Sequence, residues 1–251
     1  MTVDNLGRAA EITLGLASRP DPHEPGIRAL PRVLDLFERL GITATFFVEG
    51  WNGLHHPEAV HSIAERGHEV GLHGWMHENW DELTDGQRES RLFDGTAALG
   101  LAGVEPIGFR APGGYRGSRT AEVLCELGYA FDASIDRGTE GDFPSVSMLS
   151  PGIPSVPFRW DMIDFWQYHM HPAGPRSPAQ YLDHLDHTLD VAIAEGGLLT
   201  LVVHPFESFA DEAKLAVVTS FLERATASPD VDVLSAGTVA ARAAAQLAPS
   251  I

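Results

Sequence analysis

The chain has 251 residues, 44% hydrophobic and 21% charged, a balance that indicates a folded globular protein and excludes a disordered or fibrous one. The 35 acidic residues outnumber the 17 basic ones and give a net charge of −18, which argues against binding to nucleic acid or to an anionic membrane surface. The single cysteine, Cys125, excludes an intramolecular disulfide framework and suits a reducing compartment.

The first eight residues lack the basic start and the long apolar run of a secretory signal peptide. No stretch of the sequence approaches the roughly 18 consecutive apolar residues of a membrane span. We therefore expect a cytoplasmic protein of one domain, residues 1–251, with no membrane partner and with a homo-oligomer left open.

Short apolar runs alternate with longer amphipathic segments along the chain. In chain order, the predicted elements are a strand at 11–16, a helix at 30–40, a strand at 43–48, a helix at 57–66, a strand at 69–72, a helix at 85–101, a strand at 107–110, helices at 120–127 and 181–194, a strand at 198–203, a helix at 212–225, a strand at 231–234 and a helix at 239–247. This alternation predicts a parallel sheet covered by helices. About seven such strands in this length suit a closed or nearly closed barrel better than an open sheet.

The stretch at 138–176 is rich in proline and glycine and has no place in the alternation. Long irregular segments inside compact domains are usually functional, so we expect this one to cover a site.

The first candidate motif is His73-Gly-Trp-Met-His77, directly after a predicted strand. Histidines four residues apart lie on the same face of a helical turn, close enough to bind one cation. With 12 histidines in the chain, a pair also falls at this spacing by chance, as loop side chains bonded to the backbone. Glycine rather than glutamate at position 74 excludes the metalloprotease form of the pattern.

The second motif is FRAPGGY at 109–115, at the end of another predicted strand. Arg110 has the forked geometry that holds a carboxylate, and the glycine pair Gly113-Gly114 lets backbone N–H groups approach a ligand. The simpler interpretation is a Pro-Gly turn with a surface arginine.

The third motif, His204-Pro205, ends the apolar run LLTLVV. In parallel α/β folds, polar residues just past the carboxyl ends of the strands converge on the active site. His73, Arg110 and His204 all occupy such positions, which favours one common site.

The order of HGWMH, FRAPGGY and LVVHP, with ITATFFVEG before them and FDAS after the second, resembles the polysaccharide deacetylase superfamily of the NodB type (carbohydrate esterase family 4). The tract at 153–165 resembles the branch that includes peptidoglycan-deacetylase-like proteins and metal-free allantoinases. The resemblance extends over about residues 10 to 245. It implies an α/β fold, a distorted (β/α)7-type barrel.

In that family an aspartate and two histidines hold a divalent metal, usually zinc. A second aspartate is the base, an arginine orients it and a late histidine is the general acid. The resemblance implies that His73 and His77 are metal ligands, Arg110 the orienting residue, His204 the acid and Tyr115 a backbone oxyanion donor. The residues expected to contact the substrate are Gly114, Tyr115, Trp160, Asp161 and Trp75.

The chain departs from the family at the aspartate pair, usually in a pattern such as TFDDG, that ends the first strand. The predicted first strand continues as ITLGLAS at 12–18 and has no carboxylate, so the base and the third metal ligand are missing there. Two histidines alone would hold a metal weakly, because catalytic zinc normally has three protein ligands. We expect Asp164 to join the catalytic set. The candidate replacements are Asp21, His23, Glu24, Asp161 and Asp164.

The leading hypothesis is an amide hydrolase that acts on an N-acetylated sugar or another small amide, by attack of metal-bound water with His204 as general acid. One alternative is a metal-free hydrolase of a cyclic amide, which uses Arg110 and backbone donors. Another is a catalytically inactive binding protein. An open groove would favour a polymer, and a closed cavity a small molecule.

Overall fold

The strands of the chain join one curled sheet that is parallel except at one edge. The computed structural model describes residues 1–13, 15, 19, 21, 23–139 and 144–247, the side chains of Ala10 and Leu247 excepted, and in this part of the chain there are eight strands. They are β1 (Thr2–Asp4), β2 (Thr45–Val48), β3 (Glu69–Leu72), β4 (Gly108–Phe109), β5 (Phe131–Asp132), β6 (Ser147–Leu149), β7 (Ile153–Ser155) and β8 (Val202–Val203).

The spatial order of the strands is β6-β7-β5-β4-β3-β2-β1-β8, and only β6 with β7 is antiparallel. With β6 and β8 at its two edges, the sheet is a distorted, incompletely closed barrel. This confirms the α/β fold class and the barrel type that the sequence predicts.

Helices cover the sheet. They are α1 (Ala9–Thr13), α2 (Pro25–Leu40), α3 (Gly50–His55), α4 (Pro57–Glu65), α5 (Asp85–Leu101), α6 (Thr120–Glu126), α7 (Pro178–Glu195), α8 (Pro205–Ser208), α9 (Glu212–Ala227) and α10 (Ala236–Leu247). Thr84 and Ser177 begin α5 and α7 with capping boxes, in which the side chain and the N–H of each pair with a glutamine three residues on. Among the described residues, no helix is both long enough and apolar enough to cross a membrane.

Three predictions about the strands were wrong or incomplete. The predicted first strand at 11–16 lies partly in helix α1, its residues 14 and 16 lie outside the described residues, and the first strand is instead β1. Residues 231–234 form no strand. The expected irregular segment contains β6, β7 and two short helical turns, Trp160–Met162 and Trp166–Met170. Strands of two or three residues are too short to produce a period-two pattern.

The parallel order brings the carboxyl ends of the parallel strands to one end of the barrel. Asp4 ends β1, His73 follows β3, Arg110 follows β4 and His204 follows β8. The residue types at these four positions are polar, although all four are buried. This end is therefore where the structure places the functional residues.

Candidate active site

A cavity of about 820 Å³ lies at the carboxyl ends of the strands. Nine of the residues singled out from the sequence line it. They are Glu24, His73, His77, Arg110, Gly113, Gly114, Tyr115, Trp160 and His204. The sequence prediction that these motifs share one location is therefore supported by the placement of their side chains.

Arg110 and Asp4 form a buried ion pair in the floor of this cavity. Nη1 of Arg110 donates to Asp4 Oδ1 at 2.8 Å and to Thr2 Oγ1 at 2.9 Å, and Nε donates to the carbonyl of Ala133 at 3.1 Å. Nη2 has no hydrogen-bond partner among the described residues. Burial raises the pKa of Asp4, and the Arg110 guanidinium and His204 partly offset that effect.

Asp4 is a carboxylate of the cavity lining that the sequence analysis missed. The sequence signal for it is an aspartate directly after the two β-branched residues Thr2 and Val3, which begin the first strand. Asn5 follows with a left-handed backbone at φ 59°, and its Oδ1 is buried in the cavity lining without a partner among the described residues. The expectation of no carboxylate at the end of the first strand was therefore wrong.

His73 and His77 present neutral imidazoles to the cavity. Nδ1 of His73 donates to the carbonyl of Arg110 at 2.9 Å, so its Nε2 carries a free lone pair. Burial lowers the pKa of His73 well below the ordinary value and lowers that of His77 to about 4. The two ring centroids are 5.0 Å apart. A divalent metal binds the lone pair of a neutral imidazole nitrogen, so the two histidines are in the protonation state that metal binding requires.

The described residues provide no third ligand of the usual kind. No three side chains of His, Cys, Asp or Glu are grouped so as to hold a metal ion in the parts of the chain that the structure describes. The uncharged oxygen of Asn5 lines the same cavity as the two histidines. Asp21 accepts from the backbone N–H of the exposed His23, and Glu24 is buried against His56 and Arg8.

His204 is held by a fully buried Asp164. Nδ1 of His204 donates to Asp164 Oδ1 at 2.6 Å, and the backbone N–H of His204 donates to Oδ2 at 2.8 Å. Ser208 Oγ and the backbone N–H of Phe165 also donate to this carboxylate, each at 2.6 Å. Burial alone lowers the pKa of His204, but the Asp164 carboxylate more than reverses this, so that the pKa is raised.

The turn after β4 shapes another part of the cavity. Gly113 and Gly114 have left-handed backbones at φ 73° and 85°, and a Cβ on Gly114 would lie 2.8 Å from the ring of Phe158 and 3.0 Å from that of Trp160. Only glycine therefore fits between the backbone and these rings. Tyr115 continues the turn and forms a bridge to Ile135.

Several known proteins are similar to this chain in sequence or in fold. A family model described as polysaccharide deacetylase matches residues 25–131. The peptidoglycan deacetylase of Helicobacter pylori is 32% identical over 151 residues, which are 58% of this chain and 48% of that protein. A crystal structure from Mycobacterium smegmatis that is assigned to the polysaccharide deacetylases superposes with a TM-score of 0.80 at 27% identity, covering 100% of this chain and 93% of that one.

Residues 25–131 match the polysaccharide deacetylase family, and the fold over the whole chain is that of a polysaccharide deacetylase domain. The Puue allantoinase also has this fold, with a TM-score of 0.80 over 99% of this chain and 91% of that one, at 20% identity. The chain spans about half the length of the peptidoglycan deacetylases it matches.

Three predicted residues of the deacetylase domain lie outside the cavity lining. Trp75 contacts Gly50 of α3, and Asp161 pairs with Arg159 and His184. The lining gives no support to the expectation that Trp75 and Asp161 contact a substrate, because neither borders the cavity. Asp164 also lies behind the lining and reaches it only through His204.

The Asp4–Arg110 pair generates a prediction about stability. Arg110→Ala leaves the buried Asp4 carboxylate without its charged partner, so we expect the free energy of unfolding to fall by about 3–5 kcal/mol. Urea denaturation followed by circular dichroism measures this change. Arg39→Ala is the control, because Arg39 pairs with Glu223 on the surface and should cost at most about 1 kcal/mol. Equal losses in the two variants would contradict the prediction.

Proposed function

We propose that the deacetylase domain hydrolyses the amide bond of an N-acyl compound. The observation that carries this proposal is the Asp164–His204 pair, whose histidine borders the same cavity as the buried Asp4–Arg110 pair. Amide hydrolysis requires a group that takes a proton from water and a group that gives one to the leaving amine. A carboxylate and a histidine with a raised pKa supply these two functions.

His204 acts as the general acid. Its Nδ1–H is held by Asp164, which leaves Nε2 as the ring nitrogen that can donate to the leaving nitrogen. Asp164 does not border the cavity, so it positions His204 and stabilises its protonated form rather than touching the substrate.

Asp4 acts as the base. Its carboxylate lines the cavity, and Arg110 fixes its orientation through Oδ1. The unpartnered Nη2 of Arg110 is an N–H donor in a buried setting, available to a carbonyl oxygen that gains negative charge.

His73 and His77 would hold a divalent ion, with zinc the ion that two imidazoles suit, and Asn5 Oδ1 is the oxygen donor beside them. Such an ion, when bound, lowers the pKa of water and polarises the carbonyl. All three donors are uncharged, so this set of ligands would bind a metal ion more weakly than a set that includes a carboxylate.

Asn5 also supports a second candidate function, metal-free hydrolysis of a small cyclic amide. An amide oxygen binds a metal ion less strongly than a carboxylate does, so this residue favours a reaction that proceeds without a metal. The Nη2 donor of Arg110 and the acid His204 remain available for a strained ring.

The first test of the proposed function is His204→Ala. We expect kcat to fall by about 10²- to 10⁴-fold, which is the usual contribution of a general acid, while the circular dichroism spectrum stays unchanged. The assay measures release of amine from N-acetylglucosamine, tri-N-acetylchitotriose and N-acetyltryptamine, and ring opening of a cyclic ureide. Unchanged turnover would remove His204 from the mechanism. A wild-type protein that binds these compounds without hydrolysing any would favour the binding-protein alternative.

The Asp164–His204 pair also predicts the pH dependence of hydrolysis. His204 must be protonated to act as an acid, and its raised pKa keeps it protonated to a higher pH, so kcat/KM should decline only above pH 6.5. Asp164→Asn removes the charge that raises the pKa and leaves the burial that lowers it. We therefore expect the alkaline decline to move to lower pH in this variant. Asp161→Asn is the matched control and should keep the wild-type profile; an unmoved profile in Asp164→Asn would contradict the prediction.

The metal site predicts a gain of affinity in Asn5→Asp. A carboxylate in place of the amide adds a negative charge beside the two histidines, so zinc should bind about tenfold more tightly or better. Aspartate tolerates the left-handed backbone at this position. Titration calorimetry with zinc measures the change, and the same substitution combined with His73→Ala and His77→Ala is the control, which should show no gain. Equal affinities of wild type and Asn5→Asp would exclude Asn5 from the site.

A further inference from the structure

Aromatic side chains form a continuous part of the cavity wall. Tyr115 belongs to the turn after β4, Phe206 belongs to α8, and the remaining members come from the segment between β7 and α7. The set is Tyr115, Phe158, Trp160, Phe165, Trp166 and Phe206, which we call the aromatic wall. None of its six members takes part in the proposed chemistry.

Part of the aromatic wall is held together by contacts between its own rings. The rings of Phe158 and Trp160 meet edge to face with centroids 5.4 Å apart, and Tyr115 and Trp160 are 5.9 Å apart. Both Phe158 and Trp160 rest on the Gly114 backbone. A preformed surface binds a flat group without losing much side-chain entropy.

The aromatic wall offers few hydrogen-bond partners. Among the described lining residues from 113 to 206, only His204 has an imidazole, carboxylate, amine or amide side chain. The other polar groups there are the Tyr115 hydroxyl and the indole N–H groups of Trp160 and Trp166. A sugar carries hydroxyls around its ring, and each one that is buried without a partner lowers affinity. Because the charged lining residues Arg8, Glu11 and Glu24 belong to other segments, the hydroxyls on the face of a sugar that meets the wall would find few partners.

Apolar surface also remains accessible beside the wall. Phe165 is 36% exposed and Met170, which lines the cavity too, is 57% exposed. Exposed apolar side chains at the rim of a cavity are typical of a ligand site. With a volume of about 820 Å³, the cavity holds far more than an acetyl group.

We propose that the substrate carries a flat apolar group, aromatic or heteroaromatic, that packs against the aromatic wall while its amide lies beside His204. The inference rests on the proposed amide hydrolysis and names its substrate class, N-acyl compounds with an aromatic body rather than N-acetylated glycans. Stacking and edge-to-face contacts with the tryptophan and phenylalanine rings provide the affinity.

The experiment compares ligands on the full chain carrying His204→Ala, in which turnover is expected to be at least about 100-fold slower. Titration calorimetry measures the affinity of N-acetyltryptamine, N-acetylglucosamine and tri-N-acetylchitotriose. Burial of one aromatic ring predicts that N-acetyltryptamine binds at least ~10-fold more tightly than either sugar. Equal or tighter binding of a sugar would overturn the proposal.

Substitutions in the aromatic wall test whether its side chains provide the affinity for the aromatic amide. In the same background, Trp166→Ala should weaken N-acetyltryptamine binding about tenfold and leave the binding of the sugars unchanged. Trp160→Leu is a second variant that keeps an apolar residue against Gly114. Trp75→Phe, outside the cavity, is the control and should bind like its parent. Unchanged affinity in both wall variants would overturn the proposal.

Failure of the inference and failure of the proposed function give different results. If N-acetyltryptamine binds with the expected preference but the wild-type chain does not hydrolyse it or any other amide, the wall assignment stands and the hydrolase assignment falls. If the wild-type chain deacetylates a sugar and does not bind the aromatic amide, hydrolysis stands and the aromatic substrate class is wrong.

Discussion

The ion pair between Arg110 and Asp4 is the interaction on which the site depends. Arg110 follows β4, yet its guanidinium bonds to Thr2 and Asp4 of β1 and to the carbonyl of Ala133 beyond β5. β1 and β4 are three places apart in the sheet, so the contact exists only because the sheet curls. Each of the two charged groups would be too costly to bury without the other.

Glycines and aromatic rings make room for this pair inside the curl. Gly71 and Gly108 are paired across β3 and β4, and a Cβ at either position would overlap the ring of Phe47 or Phe131. The guanidinium carbon of Arg110 lies 4.4 Å from the centre of the Phe47 ring. The interior packing and the charge pair thus support each other, because the ring faces shield the pair from water and interact favourably with the cation.

The sequence by itself determined the fold class and most of the polar site. Alternating apolar runs and amphipathic helices predict the parallel α/β sheet, and the motifs around His73, Arg110 and His204 lie at strand ends that a parallel sheet must bring together. These signals are local, since they depend on hydrophobic period and on residue type at fixed spacing. The deacetylase resemblance depends on the same motifs.

Only the tertiary structure decided which carboxylates belong to the site. Asp4 is recognised as the partner of Arg110 only in the folded chain, where β1 lies between β2 and β8. A three-residue strand has too little periodicity to be recognised from the sequence alone. Asp161 and Asp164 are three residues apart, yet one pairs with Arg159 and the other with His204. Their separation, like the grouping of the aromatic wall, depends on contacts between segments distant in the chain, and no local pattern of residues encodes such contacts.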